Sequence, residues 1–398
     1  MTIPRSPLPA SGSLVTARRT HSFTESVIRG MTRLAMEHDA INLAQGFPNF
    51  PAPDLLKEAA VRAIRDDINQ YAVTWGAPSL RHALVRKYEE WYGLTVDPNT
   101  EVTVCCGATE AMASTLMAIV DPGDEVIVFE PYYENYGPDA VLCGAKPMFV
   151  PMTMDQPLDL DRVAAAFSER TRAIIINTPN NPTGHVFSRE ELEGIAELCR
   201  VHDTYAVTDE IYEHILYAGE HIPMATLPDM RERTITISGA SKTFSVTGWR
   251  IGTIVAPAAA TDAIRKVHDF LTVGAPAPLQ EGVAVALDEL GPDYYSDLAR
   301  SYEKRRDVLH AGLIEAGFRC TPPAGAYYIL ADFSDLSSRS DVEFAEWMVR
   351  EIGVASVPGS SFYSRAEDGR TTVRFAFCKT GEMLGDAVQR LREVRSKR

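Results

Sequence analysis

Five polar side chains that could act together on one small molecule fall where successive short apolar runs end. RAIIIN passes into NTPNNPTG, residues 177–184, which carries Asn181. TYAVTDEIYEHILY carries Asp209 and Tyr212, and ITISGASKTFSVTGWRIG carries Lys242 and Arg250. A desolvated lysine amine beside a cation is partly deprotonated, so it can condense with a carbonyl and then carry a proton to or from carbon. An arginine fork suits a phosphate or carboxylate, and a buried aspartate suits a cationic partner. Each residue alone has an ordinary reading: Asn181 satisfies a proline-rich turn, Asp209 caps a strand end, Tyr212 fills core, Lys242 is solvated. Surface groups need not fall at consecutive strand termini, and that coincidence points to a site.

The elements that must position these groups follow from the pattern. From about residue 101, β-rich runs (EVTVCC, DEVIVFE, AKPMFVP, RAIIINT, TYAVTDE, RTITISG, GTIVAP) alternate with helical stretches beginning at Ala108, running through Tyr136 and spanning Glu190 to His202. Such alternation predicts a parallel sheet covered by helices on both faces. The last two runs leave no room for a crossover helix, so the sheet is expected to be mixed, with about seven strands. In an open α/β sheet, ligands bind at the carboxyl ends of the strands, the edge that receives the five groups. After Pro257 the pattern turns helical, and an amphipathic stretch from about Asp293 to Ala316 reads as a bridge. Beyond it AYYILADF, a helix from Asp341 to Glu351, VASVP, TTVRFAF and a helix from Gly381 form a second α+β unit. The expected division is a large domain over 50–290, and a smaller one from 1–49 and 291–398 with an N-terminal arm. There is no internal repeat and no low-complexity tract.

In order and spacing these motifs resemble the class I/II pyridoxal-phosphate-dependent aminotransferases of fold type I. NTPNNPTG, TDEIYEHILY and SKTFSVTGWRIG carry the likeness, with Lys242 33 residues after Asp209 and Arg250 8 after Lys242. LAQGFPNF, NQYAVTWGAPSLR, CCGATEAM, VFEPYYENY and TTVRFAF extend it from about Ile41 to Lys379. In tone (QGFPNF, SKTFSVTGW, VGAPAPLQ) the chain is similar to the branch with kynurenine, glutamine-phenylpyruvate and methionine aminotransferases.

The resemblance implies pyridoxal 5'-phosphate as cofactor, held as a Schiff base on Lys242. It also implies that Asp209 pairs with the pyridine nitrogen, that Asn181 and Tyr212 donate to the ring's phenolate oxygen, and that Tyr133 stacks on the ring, though Tyr133 and Tyr212 also read as plain core. For the phosphate, Ala108 and Thr109 open a helix after a strand and so supply amides and a positive dipole end. Ser241 adds a hydroxyl and Arg250 a charged fork. By resemblance Tyr71 reaches the phosphate of a neighbouring subunit, which implies a homodimer with shared sites. Arg374 grips the substrate α-carboxylate, with Gly46 and Asn181 beside it. An arginine flanked by apolar residues inside a strand is costly unless paired, which favours that role. Gly239 departs from the pattern, because many relatives carry a phosphate-binding serine there. The implied reaction moves an amino group from an L-amino acid to a 2-oxo acid. LTVGAPAPLQ shows no obvious arginine for a distal carboxylate, so a neutral or aromatic donor is expected.

Composition narrows the field further. Lys and Arg number 39 against 54 Asp and Glu, a net charge of −15, which disfavours nucleic acid and anionic membranes as partners. Hydrophobic residues at 45% and charged residues at 23% are ordinary for a folded globular chain. The six cysteines form neither a paired framework nor a metal knuckle, as expected of buried thiols in a reducing compartment. Residues 1–20 lack the apolar core of a signal peptide; they carry arginines and no acid, as a transit peptide does, but their Pro and Ser content suits a mobile arm better. A cytoplasmic protein is expected. GASKT lacks the upstream glycine of a phosphate loop, and G-x-G-x-x-G, G-x-S-x-G and H-E-x-x-H do not occur. The histidines show no metal-ligand spacing, and His185 reads as a loop residue. Two rivals remain at this level. One is a different reaction on the same cofactor, such as β- or γ-elimination, replacement or decarboxylation. The other is a non-catalytic sensor domain, which the intact residue set and the acidic charge disfavour.

Overall fold

The structure, a computed structural model, describes residues 16–153 and 157–397. Most of the expected N-terminal arm, residues 1–15, lies outside the described residues; Arg18–His21 form an exposed 3₁₀ turn. Twelve strands are found among the described residues: β1 (Ile41–Asn42), β2 (Val102–Cys105), β3 (Glu125–Glu130), β4 (Lys146–Pro151), β5 (Thr171–Asn177), β6 (Tyr205–Asp209), β7 (Thr234–Gly239), β8 (Gly252–Val255), β9 (Tyr328–Asp332), β10 (Val354–Ala355), β11 (Val357–Pro358) and β12 (Thr372–Ala376).

Seven of them form one sheet in the order β2-β8-β7-β6-β5-β3-β4. All pairs are parallel except those made by β8, which runs antiparallel to both β2 and β7. The tight connection between Gly239 and Gly252 reverses the chain, as the missing crossover predicted. One geometric consequence matters: the amino end of β8, just after Arg250, meets the carboxyl ends of its parallel neighbours. The apolar runs of β3, β5 and β6 are buried because helices pack on both faces, and β3 is buried at all its positions.

The helix Pro292–Ala316 spans the bridge expected from about Asp293. Beyond it β9, β11 and β12 form a three-stranded sheet in the order β11-β12-β9, with Arg374 at its centre opposite Val357 and Leu330. VASVP, expected as one strand, is two. Val354 and Ala355 pair in parallel with Ile41 and Asn42, then the chain crosses at buried Ser356 so that Val357 pairs with Arg374. That switch ties residues 41–47 to the strand bearing Arg374. A single core cluster joins Leu43 and Ala44 to Tyr327, Val354, Phe375 and Leu384. Among the described residues, no helix is long and apolar enough to cross a membrane.

Candidate active site

Asp209 is the last residue of β6 and is buried. Its Oδ2 accepts from the Tyr136 hydroxyl at 2.7 Å and its Oδ1 from the Ile211 amide at 3.2 Å. Burial pushes its carboxyl above the ordinary range; the Tyr136 and Ile211 bonds and the charge of Lys242 only partly oppose this. A desolvated anion of this kind calls for a cation. Asn177, which ends β5, donates to the Asp209 carbonyl at 2.9 Å and accepts the Asn181 amide at 2.7 Å. The proline-rich loop is thereby pinned to the strand ends, and Asn181 is turned inward.

Lys242 lies on the short helix Ala240–Thr243 directly after β7. Its Nζ is 3.4 Å from the Gly46 carbonyl and 5.7 and 5.9 Å from the ring centres of Tyr327 and Tyr212. Burial, helped by Arg250 and Arg374, pulls this amine down to about 8. A substantial neutral fraction near neutrality is what an attacking or proton-carrying amine requires. Gly239, three residues earlier, has no room for the serine of other sequences: a Cβ there would come 2.6 Å from the Ile251 carbonyl.

The helix Ala108–Ile119 begins right after β2, with Ala108 and Thr109 in its first turn. The Arg250 guanidinium lies across that turn, so close that a Cβ on Gly107 would come 2.2 Å from Nη2. Arg250 takes a left-handed backbone conformation, φ 55°, an uncommon one for arginine that a local need must offset. Ser241, next to Lys242 on its short helix, lines the same cavity. Amides at a helix start, a hydroxyl and a guanidinium make an anion cradle. Beneath it Glu110 accepts the Cys106 amide at 2.9 Å and bonds His268 at 3.0 Å, whose other ring nitrogen is 3.0 Å from the Thr74 carbonyl.

Arg374 is fully buried. Nη1 donates to Asn181 Oδ1 at 2.7 Å and Nη2 to the Ala44 carbonyl at 2.7 Å, while Nε has no partner. The Tyr328 and Phe362 rings stand 4.2 and 4.9 Å from its guanidinium carbon. A buried arginine held by neutral acceptors, with an unpaired N–H, is built to receive an anion. Gly46 must be glycine here, since a Cβ would come 2.0 Å from the Tyr328 hydroxyl. Tyr328 in turn bonds the Tyr212 hydroxyl at 3.0 Å.

One cavity of about 730 Å³ gathers Gly46, Ala108, Thr109, Tyr133, Asn181, Asp209, Tyr212, Ser241, Lys242, Arg250 and Arg374. Tyr71 is not among its lining residues and is 85% exposed. His185 also stays outside it, bonded to Glu191 at 3.2 Å, as a loop residue would be. The cavity further includes Gln45, Phe47, Glu110, Tyr136, Asn177 and Tyr328, which the motifs did not single out. Tyr136 opens the helix Tyr136–Leu142, and its ring packs edge-on against Tyr133 at 5.7 Å. All six cysteines are free, and Cys106 is the one that lines the cavity.

The residues fit pyridoxal phosphate at each point where that group has a demand: a desolvated carboxylate for the ring nitrogen, an amine of lowered basicity for the aldehyde, and an anion cradle for the phosphate. The family model for aminotransferase class I and II matches residues 38–391. The chain is 37% identical over 396 residues to the methionine aminotransferase of Escherichia coli, covering 98% of each. It is 35% identical over 395 residues to human kynurenine–oxoglutarate transaminase 1, covering 91% of this chain and 94% of that one. The solved structure of N-succinyldiaminopimelate aminotransferase from Mycobacterium tuberculosis superimposes with a TM-score of 0.93 at 39% identity, over 96% of this chain and all of that one. The aspartate aminotransferase of Thermus thermophilus with maleate gives 0.90 at 35%, over 96% and 100%.

Proposed function

The chain belongs to the class I and II aminotransferases and is a pyridoxal-phosphate-dependent transaminase acting on an amino acid and a 2-oxo acid, and we propose that its donor is an L-amino acid with a neutral or aromatic side chain. The observation that carries this reading is the apolar part of the cavity lining: Ile28, Phe47, Tyr133, Leu271 and Tyr328 line the cavity, and the Tyr328 ring stands 4.2 Å from the Arg374 guanidinium carbon. Apolar and aromatic neighbours favour an uncharged side chain, because a second carboxylate among them would be desolvated without a partner. Arg29 stands exposed on the rim and is the cation to control for.

When bound, the cofactor acts as an electron sink for the carbon bearing the amine. The Lys242 amine takes the proton from that carbon and, in the reverse half-reaction, delivers a proton to the corresponding carbon of the 2-oxo acid. Asp209, oriented by Tyr136, would keep the ring nitrogen cationic. Tyr133 would stack on the ring, and Asn181 and Tyr212 would donate to its phenolate oxygen. Ala108, Thr109, Ser241 and Arg250 would hold the phosphate. Arg374, with Gly46 and Asn181, holds the substrate carboxylate, so the carbon to be deprotonated is fixed next to Lys242.

The larger unit, 50–290, then supplies the cofactor side; the smaller, 1–49 and 291–398, supplies Arg374. We also infer a cytoplasmic homodimer in which Tyr71 completes the partner's phosphate site. Supporting this, the apolar side chains of Ile68, Tyr71, Val73, Phe270 and Val273 are all exposed, and His268 ties their two segments together through the Thr74 carbonyl.

The test is kcat/KM over a donor panel with one fixed 2-oxo acid. Met, Phe or Gln should exceed Asp and Glu by at least about tenfold, the scale of one misplaced polar group. A preference for the dicarboxylates that disappears in Arg29→Ala would overturn the assignment and give Arg29 the distal carboxylate.

A further inference from the structure

Four consecutive carbonyls, those of Ala44 to Phe47, each meet a donor side chain. Arg374 Nη2 donates to Ala44 at 2.7 Å; Lys379 Nζ donates to Gln45 at 3.1 Å and to Phe47 at 2.9 Å; the Tyr327 hydroxyl donates to Gly46 at 2.9 Å. Further bonds fasten the same segment to the chain around Lys379. The Ala376 amide donates to the Leu43 carbonyl at 2.7 Å and the Thr380 amide to Asn49 Oδ1 at 2.7 Å. Lys379 is itself held in place, since its carbonyl accepts from Arg305 Nε at 2.8 Å.

Lys379 is 1% exposed. Among the described residues it makes no ion pair; its charge rests on the two carbonyls and on the face of the Phe47 ring, 3.9 Å away. Burying an ammonium without a carboxylate is unfavourable by several kcal/mol before compensation, and an apolar side chain of the same length would fill the space more cheaply. A cation does here what hydrocarbon cannot. It gathers the carbonyls on either side of Gly46 toward one point, which fixes both peptide planes around that glycine.

We propose that Lys379 is a positioning residue for the amino-acid substrate: by clamping the carbonyls of Gln45 and Phe47 it sets the Gly46 peptide and the Ala44 contact of Arg374 in the geometry that receives the α-carboxylate. This rests on the reading of Arg374 as the carboxylate anchor. Lys379 touches neither substrate nor cofactor in this role. Its effect is carried by backbone, so it should appear in carboxylate affinity more than in turnover.

The test uses cofactor-loaded Lys379→Met and Arg374→Ala beside wild type. It reads kcat and KM for the best donor of the panel, and the Kd of 3-phenylpropanoate, an unreactive carboxylate, from the absorbance of the bound cofactor. Lys379→Met should raise both KM and that Kd by about tenfold or more, the worth of charge-assisted hydrogen bonds, while kcat falls by less and the cofactor content stays at one per chain. KM and Kd within twofold of wild type, or a fall in kcat alone, would overturn the proposal. Arg374→Ala separates the two readings: if it too leaves KM and Kd unchanged, the carboxylate anchor is wrong; if it raises them and Lys379→Met does not, Lys379 alone is wrong. Should Lys379→Met not fold, Lys379→Gln carries the same test, because its amide can donate to one of the two carbonyls. An intermediate rise in KM and Kd is then expected, and none would overturn the proposal.

Discussion

The two ends of the cavity are incomplete in opposite senses. At the strand edge Asp209 is a buried anion with a phenol and an amide for partners and its carboxyl pushed upward. At the small sheet Arg374 and Lys379 are buried cations whose hydrogen-bond partners are neutral: one side-chain amide and three backbone carbonyls. Lys242 lies between them with a lowered affinity for its proton. A fold that selected for stability alone would let these charges meet. Holding them apart leaves one end to be completed by a cationic ring and the other by a carboxylate, with the amine placed where the two ligands join. The electrostatic shortfall of the protein thus prefigures its ligands.

The largest effect that can break this comparison is at the point shared by both ends. Lys242→Ala should lower kcat by at least about 10⁴-fold, since it removes the attacking amine and the proton carrier together, while the protein still takes up cofactor more loosely. Single-turnover kinetics with direct cofactor titration would check both. Next, Arg374→Ala should cost about 10²- to 10³-fold in kcat/KM, most of it in KM, because it removes a buried charge-assisted contact that also orders Asn181. Equal losses with every donor are expected, since all share the α-carboxylate; a loss confined to one donor would contradict the role.

At the other end, Tyr136→Phe removes one hydrogen bond from the Asp209 carboxylate and should weaken cofactor binding by about tenfold with little change in donor KM. Equilibrium dialysis of the apoprotein measures it, and a change in donor KM instead would mean that the two ends are not separable.

The smallest effect is a displaced midpoint. Only the neutral amine reacts with an aldehyde, so the rate of cofactor uptake by apoprotein should rise with pH and reach half its limit near about 8, against about 10.4 for an ordinary lysine. The same lowering gives a sign for stability. Below about 8 the partly buried Lys242 ammonium exerts its full destabilising effect; between about 8 and 10.5 the unfolded chain holds more protons than the folded one, so that cost fades as pH rises.

The two ends also differ in how far the sequence discloses them. Asn181, Asp209 and Lys242 fall at or just past the ends of successive parallel strands, so their convergence follows from the pattern that predicts the sheet, and Arg250, 8 residues after Lys242, reaches the same edge through the reversal into β8. The β8 reversal was equally legible, because too few residues separate Gly239 from Gly252 for a crossover. The carboxylate end is built largely of main-chain carbonyls, and a carbonyl leaves no trace in residue type. What places Ala44 to Phe47 is a two-residue pairing of Ile41 and Asn42 with Val354 and Ala355, too short to show any periodicity. Nothing in the type or spacing of Lys379 announces the two carbonyls that it holds. VASVP looked like one strand because five buried residues in a row cannot announce a change of partner at Ser356. Tyr71 carries a motif, yet an isolated chain leaves it exposed.

The most direct measurement is a half-reaction: cofactor-loaded protein is mixed with a single amino acid and no oxo acid, and products are identified by mass spectrometry. One equivalent of the matching 2-oxo acid per chain, with the amine retained by the cofactor and no ammonia released, is the predicted result. Ammonia, carbon dioxide or a shortened carbon skeleton in place of that oxo acid would contradict the account.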